Sequence, residues 1–286
     1  MMRLLNLQKI LVLFIVLGFN FSQAQLFTMM DDANFTARDY SSQNLATSSL
    51  EVVYKLSYVH NTKTPSSKRL EYLRLVVGDG YSKFGEYKRE VRDSLEEVFS
   101  HQKTINTRDF NLFSNFTGSW KKDILKDYKS QKFRLQQFLV NNYETEDALP
   151  KFDWKLFNET KNISGYSCNK ATTNYRGRSY TAWYTKDIPV SDGPYLFYGL
   201  PGLILHLEDS EQHYVFSLEG LKKVEKPIYW RNDKRWARIS IKDFNKLEKS
   251  KFDNPGFYIT LKAFDANGNP ISPKFPPTPY NPIERD

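Results

Sequence analysis

Phe197-Tyr198-Gly199-Leu200-Pro201-Gly202-Leu203-Ile204-Leu205-His206-Leu207-Glu208, followed by Asp209 to Gln212 and then His213-Tyr214-Val215-Phe216-Ser217-Leu218, is the stretch that decides the fold. Leu200-Pro201-Gly202-Leu203 has the composition of a type II turn, because proline presets φ at the second position and glycine accepts the positive φ of the third. Gly199 adds room for a close backbone approach. Beyond the turn, Leu203, Leu205 and Leu207 share one face of a strand, and a hairpin around Asp209 to Gln212 returns Tyr214, Phe216 and Leu218 to it. Pairing Leu207 with Tyr214, Leu205 with Phe216 and Leu203 with Leu218 keeps all six side chains together, so this hairpin is expected to wall a β-sheet core.

The same signals extend both ways along the chain. Glu51 to His60 and Arg69 to Val77 alternate around Val53, Leu56, Tyr58, Tyr72, Leu73 and Leu75, which predicts two paired strands joined by the turn-forming Asn61 to Lys68 and closed by Gly78-Asp79-Gly80. Tyr87, Val91, Leu95 and Val98 stand at helical spacing among charged residues, which predicts an amphipathic helix over 86–102. Further strands are expected at Lys132 to Tyr143, Phe152 to Phe157, Gly165 to Thr173, Arg178 to Thr185, Arg235 to Ile241 and Phe257 to Phe264. A second short helix should run through Phe244 and Leu247 with a cap at Ser240. Asn267-Gly268 marks a hairpin turn, and Pro270 to Asp286, with six prolines, is expected to lie extended along the surface. The fold class that follows is mainly β (α+β): a curved antiparallel sheet with one or two helices, resembling the half-barrels of periplasmic lipoprotein carriers.

The N-terminus reads as an export signal. Arg3 and Lys9 supply a positive region, Ile10 to Phe19 a short apolar run, and Ser22-Gln23-Ala24 the small residues before a cleavage at Gln25. The rival, a permanent anchor, needs about 20 apolar residues, and Asn6, Gln8, Lys9 and Asn20 fence this run in. No cysteine follows the apolar run until Cys168, so lipidation there is not expected. The expected organisation is a signal peptide over 1–24, a polar lead-in over 25–48, one β-rich domain over 49–269 and a Pro-rich tail over 270–286. Removing Arg3 and Lys9 lowers the formal charge from +8 to +6, a mild bias towards acidic surfaces. The expected location is periplasmic or secreted, with no later membrane-spanning segment. Cys168 is the single cysteine, so no internal disulfide can form. It reads as a buried small hydrophobe, with a reactive thiol as the rival.

Gly199 to Ile204 spells the motif of the GLPGLI family, and the chain resembles that group of exported bacterial proteins of uncharacterised function. The likeness includes Gly165 to Ala171, Arg176-Gly177-Arg178, Ala182 to Thr185, Ile188-Pro189 and Gly193-Pro194 upstream, and Asn281-Pro282-Ile283-Glu284 near the end. It is weaker over the N-terminal half. The resemblance implies an envelope location and no established catalytic residue or cofactor.

His206 and His213 face away from the leucine side in the expected register, with Glu208 opposite His213, a conceivable metal or proton-transfer site set against plain solvation. Asp265 to Asn269 opens like a calcium loop but has Pro270 and Pro276 where glycine and glutamate are needed. Gly199 to Gly202 mimics a nucleic-acid GXXG loop without the basic helical setting, so no nucleic acid is expected. Ser119-Trp120-Lys121-Lys122 has Ser-x-x-Lys spacing without its companion motifs, and no phosphate loop or serine-hydrolase elbow is present. Asn34, Asn115, Asn158 and Asn162 stand in glycosylation sequons, which the bacterial resemblance leaves silent. Trp183, Tyr195, Phe197 and Tyr198 could line a ligand groove or pack a core. The leading function is a non-catalytic binding or accessory module for an apolar ligand, including lipid, or for an envelope partner such as an outer-membrane transporter. The alternatives are an enzyme using Asp192, Glu208 and Asp209 near the Pro-Gly turn, and a structural component of a surface assembly.

Overall fold

The computed structural model describes residues 34–116, 118–139, 141–258, 263–264, 270–271 and 275–285. The expected signal peptide and the Asn267-Gly268 turn lie outside them. The chain is mainly β, with 50% strand and, among the described residues, three α-helices, and it divides into two compact units. In the smaller unit, β1 (Asn34–Thr36) pairs with β5 (Thr104–Asn106), and α1 (Arg89–Ser100) and α2 (Thr107–Ser114) complete it. Asn106 and Asp109 form a reciprocal capping box at the start of α2, and Phe35 stacks on Phe110 at 5.0 Å. α1 is the helix expected from the apolar stripe, yet Val91 and Val98 remain 45% and 58% exposed, so the stripe does not become a core.

The larger unit is built on a twelve-stranded sheet. Its strands are β2 (Ser42–Val59), β3 (Lys68–Gly78), β4 (Tyr81–Glu86), β6 (Lys122–Asp127), β7 (Lys132–Phe138), β8 (Asn142–Ala148), β9 (Lys155–Ile163), β10 (Tyr166–Tyr175), β11 (Arg178–Thr185), β12 (Leu203–Asp209), β13 (Tyr214–Arg231) and β14 (Trp236–Arg238). They lie side by side in the order β14-β8-β7-β6-β4-β3-β2-β13-β12-β11-β10-β9. Every neighbour is antiparallel except β14, which runs parallel to β8 at one edge. The sheet is curved and does not close into a barrel. α3 (Ile241–Asp253) belongs to this unit, as does the two-residue pair β15 (Ala263–Phe264) and β16 (Pro270–Ile271).

Alternation places the core. Leu50, Val52, Tyr54, Leu56 and Tyr58, every second residue of β2, are buried. Leu73, Phe84, Ile124, Leu205 and Phe216 join them from five other strands in one contiguous cluster. Each fully buried side chain of this size stabilises by roughly 1.5–3 kcal/mol. Val76, Leu125, Ile228 and Trp230 form a smaller cluster of their own.

Several strands differ from expectation. The deciding hairpin pairs Leu207 with Phe216 rather than with Tyr214. This two-residue shift preserves the face, because side chains repeat every second residue. β13 continues past Leu218 to Arg231, since its polar stretch pairs by backbone with β2 back to Ser42. Ser42 to Ser48, expected in the lead-in, are therefore strand. β9 begins at Lys155, while Phe152 and Trp154 pack their rings on Phe197. The strand expected over 235–241 shrinks to Trp236–Arg238, because Ser240 Oγ accepts the Asp243 amide at 3.1 Å and starts α3. The C-terminal segment does not stay on the surface. Asn281 and Ile283 are buried, Ile283 at 2% exposure within the main core.

Candidate functional site

The Gly199–Ile204 motif is built into the core. Leu200, Leu203 and Ile204 are buried. The turn is not type II: the Gly202 amide donates to Leu200 O at 2.7 Å, a three-residue turn about Pro201, and the Leu203 amide reaches Ile188 O at 3.1 Å instead. Gly202 has φ 149°, and a Cβ there would overlap Thr185 O and stand 2.7 Å from the Thr185 carbonyl carbon. Gly199 is needed for its φ of 92°, not for close approach, since the nearest atom to a Cβ would be Trp154 Nε1 at 3.8 Å. The Ile204 amide donates to Asp192 O at 3.0 Å, and Tyr54 Oη donates to Ile204 O at 2.7 Å. Beside it Lys126 and Asp192, both buried, form an ion pair that the Gly193 carbonyl completes. Burial pulls the Lys126 ammonium below its ordinary range against the attraction of Asp192. The motif thus fastens residues 186–202 to the sheet.

The candidate ionisable residues separate. His206 Nδ1 and Ser217 Oγ share a hydrogen bond of 3.1 Å, and Glu208 approaches His206 Nε2 at 3.8 Å. Burial lowers the His206 pKa, partly offset by Glu208. His213 groups instead with Asp209 and Glu211, and Glu208 lies opposite Val215. Asp209 is committed to buried Arg178, and Glu211 to Arg285 and Arg178. Guanidinium groups already occupy the carboxylates a cation would need. Asp192, Glu208 and Asp209 therefore each hold a separate partner. Cys168 is buried, with its thiol pushed up to about 11 by desolvation and then Asp187. Tyr195 and Phe197 are core residues, with Trp183 and Tyr198 partly buried at the margin of the same core.

A cavity of about 440 Å³ opens elsewhere in the larger unit, and none of its lining residues belongs to the motif. Its walls are the last residues of β2, the start of β6 with the residues before it, α3, and the C-terminal segment 278–283. Apolar surface comes from Tyr58, Trp120, Tyr214, Phe252, Tyr280 and Ile283. Tyr58 stacks on Tyr214 at 5.9 Å and Phe252 packs on Tyr280 at 4.8 Å. Ser119 and Lys122, the Ser-x-x-Lys pair, both line it but are not joined. Ser119 Oγ bonds Glu71 and Tyr58 Oη, while Lys122 Nζ reaches Glu248 at 3.0 Å.

Residues 281–284 of the C-terminal segment are tied down by hydrogen bonds from several elements. Asn281 Nδ2 donates to Val59 O at 2.7 Å, Arg178 Nη2 donates to Asn281 Oδ1 at 2.6 Å, and Tyr214 Oη donates to Asn281 O at 2.6 Å. Tyr180 Oη donates to Ile283 O at 3.0 Å, and Tyr195 Oη to Glu284 at 2.7 Å. The resemblance at Asn281 to Glu284 pointed to these residues. Nothing in the sequence joined them to Tyr58, His60, Arg69, Trp120 or Lys251, which come from well-separated segments.

Residues 174–206, from the end of β10 into β12, match a family described as "Protein of unknown function (Porph_ging)". No curated protein matches the chain. Among solved structures, PNGF-II in a P21 crystal is 18% identical with a TM-score of 0.50, 76% of this chain covering 35% of that one. PNGF-II in a C2 crystal gives 18%, 0.49, 76% and 35%. MucB in complex with MucA(peri) gives 9% identity and a TM-score of 0.29, with 62% and 50% covered. The chain spans about a third of the length of PNGF-II, and at this identity the likeness is one of fold. No helix among the described residues is long and apolar enough to cross a membrane.

Proposed function

We propose that this chain is an exported, non-catalytic binding module of the GLPGLI family, periplasmic or secreted, whose ligand is a small apolar molecule held in the cavity between the sheet, α3 and the C-terminal segment. The cavity carries the proposal: its 440 Å³ falls within the roughly 300–1,000 Å³ of small-molecule sites, and its walls set five aromatic side chains, Tyr58, Trp120, Tyr214, Phe252 and Tyr280, among polar and charged ones. Family membership rests on the motif Gly199 to Ile204, and the 174–206 match to a family of unknown function, which spans that motif, is compatible with it. Export rests on Arg3, Lys9, Ile10 to Phe19 and Ser22 to Ala24.

The test is organic extraction of the purified protein followed by mass spectrometry, with Thr278→Trp, at the cavity wall, as the comparison. Near-stoichiometric recovery of one apolar compound class from the unmodified protein, and its loss from Thr278→Trp, is the expected result. An empty protein that also binds no apolar dye at a single site would dismiss the reading.

A further inference from the structure

The charges around the cavity are unequal. Arg69, Lys121, Lys122, Lys251 and His60 line it, against one carboxylate, Glu248. Glu248 is spent within the wall, accepting from Lys122 at 3.1 Å, Gln137 at 3.3 Å and Tyr280 Oη at 3.2 Å. Lys121 Nζ turns to Gly118 O at 2.6 Å. Of the acids behind this wall, Glu71 is engaged by the amide and hydroxyl of Ser119 and Glu86 by the amide of Gly118. Arg69 and Lys251 have no carboxylate within ion-pair distance among the described residues. Both act on His60, whose imidazole is held below its ordinary range by burial and then by these two charges. Among the described residues, the cavity therefore combines aromatic surface with positive charge at Arg69 and Lys251 that no carboxylate pairs.

We infer that the ligand is an amphipathic anion, an apolar body bearing one carboxylate or phosphate group, with the body against Tyr58, Trp120, Tyr214 and Phe252 and the head at Arg69 and Lys251. A guanidinium pairs with either head in bidentate fashion and an ammonium adds a point charge. A cleft lined by one sign of charge also concentrates counter-ions. Free phosphate shares the head chemistry but leaves the aromatic wall unused.

This rests on the binding reading above, and the experiment separates the two. Calorimetric titration of the full chain with dodecanoate, dodecyl phosphate, dodecanol, dodecyltrimethylammonium and inorganic phosphate is the measurement. The two anions are expected to bind at one site at least about 10-fold more tightly than dodecanol, with the cationic amphiphile and inorganic phosphate weaker still. In Arg69→Gln/Lys251→Gln, anion affinity should fall about 10- to 100-fold while dodecanol stays within about 2-fold, which a folding defect would not produce. Equal binding of anion, alcohol and cation overturns the inference and leaves the apolar-pocket reading standing. Inorganic phosphate binding as tightly as dodecyl phosphate overturns the amphiphile. No binding of any probe overturns both.

Discussion

Gly199→Ala and Gly202→Ala separate two reasons for glycine within one short motif. At Gly199 the φ of 92° is strained for alanine but the space is open, so the cost is that of one residue in a disfavoured backbone region, about 1–3 kcal/mol. At Gly202 the same kind of strain applies at φ 149°, and the new Cβ also meets backbone atoms of Thr185, which cannot rotate away. Overpacking adds about 1–3 kcal/mol, so Gly202→Ala should cost about 2–6 kcal/mol in all. Urea unfolding followed by tryptophan fluorescence reads the difference. With a slope near 3 kcal/mol/M, Gly199→Ala moves the midpoint down by about 0.3–1 M and Gly202→Ala by about 0.7–2 M. Equal midpoints for the two variants, or a larger loss at Gly199, would refute the reasoning that Gly202 is fixed by its contact with β11.

Other perturbations read other parts of the account. Ile283→Ala should destabilise by about 2–5 kcal/mol, as truncation of any fully buried side chain does; a melting temperature unchanged within error would place the segment on the surface. Cys168 should resist iodoacetamide at pH 7.5 in the folded protein, because it is buried and its thiol is pushed up to about 11, and react once urea unfolds the chain; rapid native labelling contradicts this. The lowered His60 pKa means the unfolded chain takes up the proton first, so this group's contribution to stability is full above about pH 6.5 and lost as pH falls through the folded pKa. A bound anion reverses that bias, so dodecanoate binding should take up protons between pH 7 and 5. Calorimetry in buffers of different ionisation heat measures this, and His60→Gln should abolish it.

The β class was legible in the sequence because alternation survives local reading. Leu50 to Tyr58 and Leu203 to Leu207 carry it plainly, and their neighbours follow. The acidic β8 and the polar half of β13 were not legible. They are strands because long partners offer them backbone hydrogen bonds, which side-chain pattern does not report. The Gly-Leu-Pro-Gly motif drew attention as a candidate site, and the structure adds that its glycines answer to φ and to Thr185. The cavity was invisible for a different reason. Arg69, Trp120, Lys251 and Tyr280 meet only after α3 and the C-terminal segment fold back over the sheet.

In a crystal structure of the protein grown with dodecanoate, one ligand chain should lie against Trp120 and Phe252 with its carboxylate at Arg69 and Lys251. An empty cavity, or dodecanoate bound only outside it, would contradict amphipathic-anion binding there.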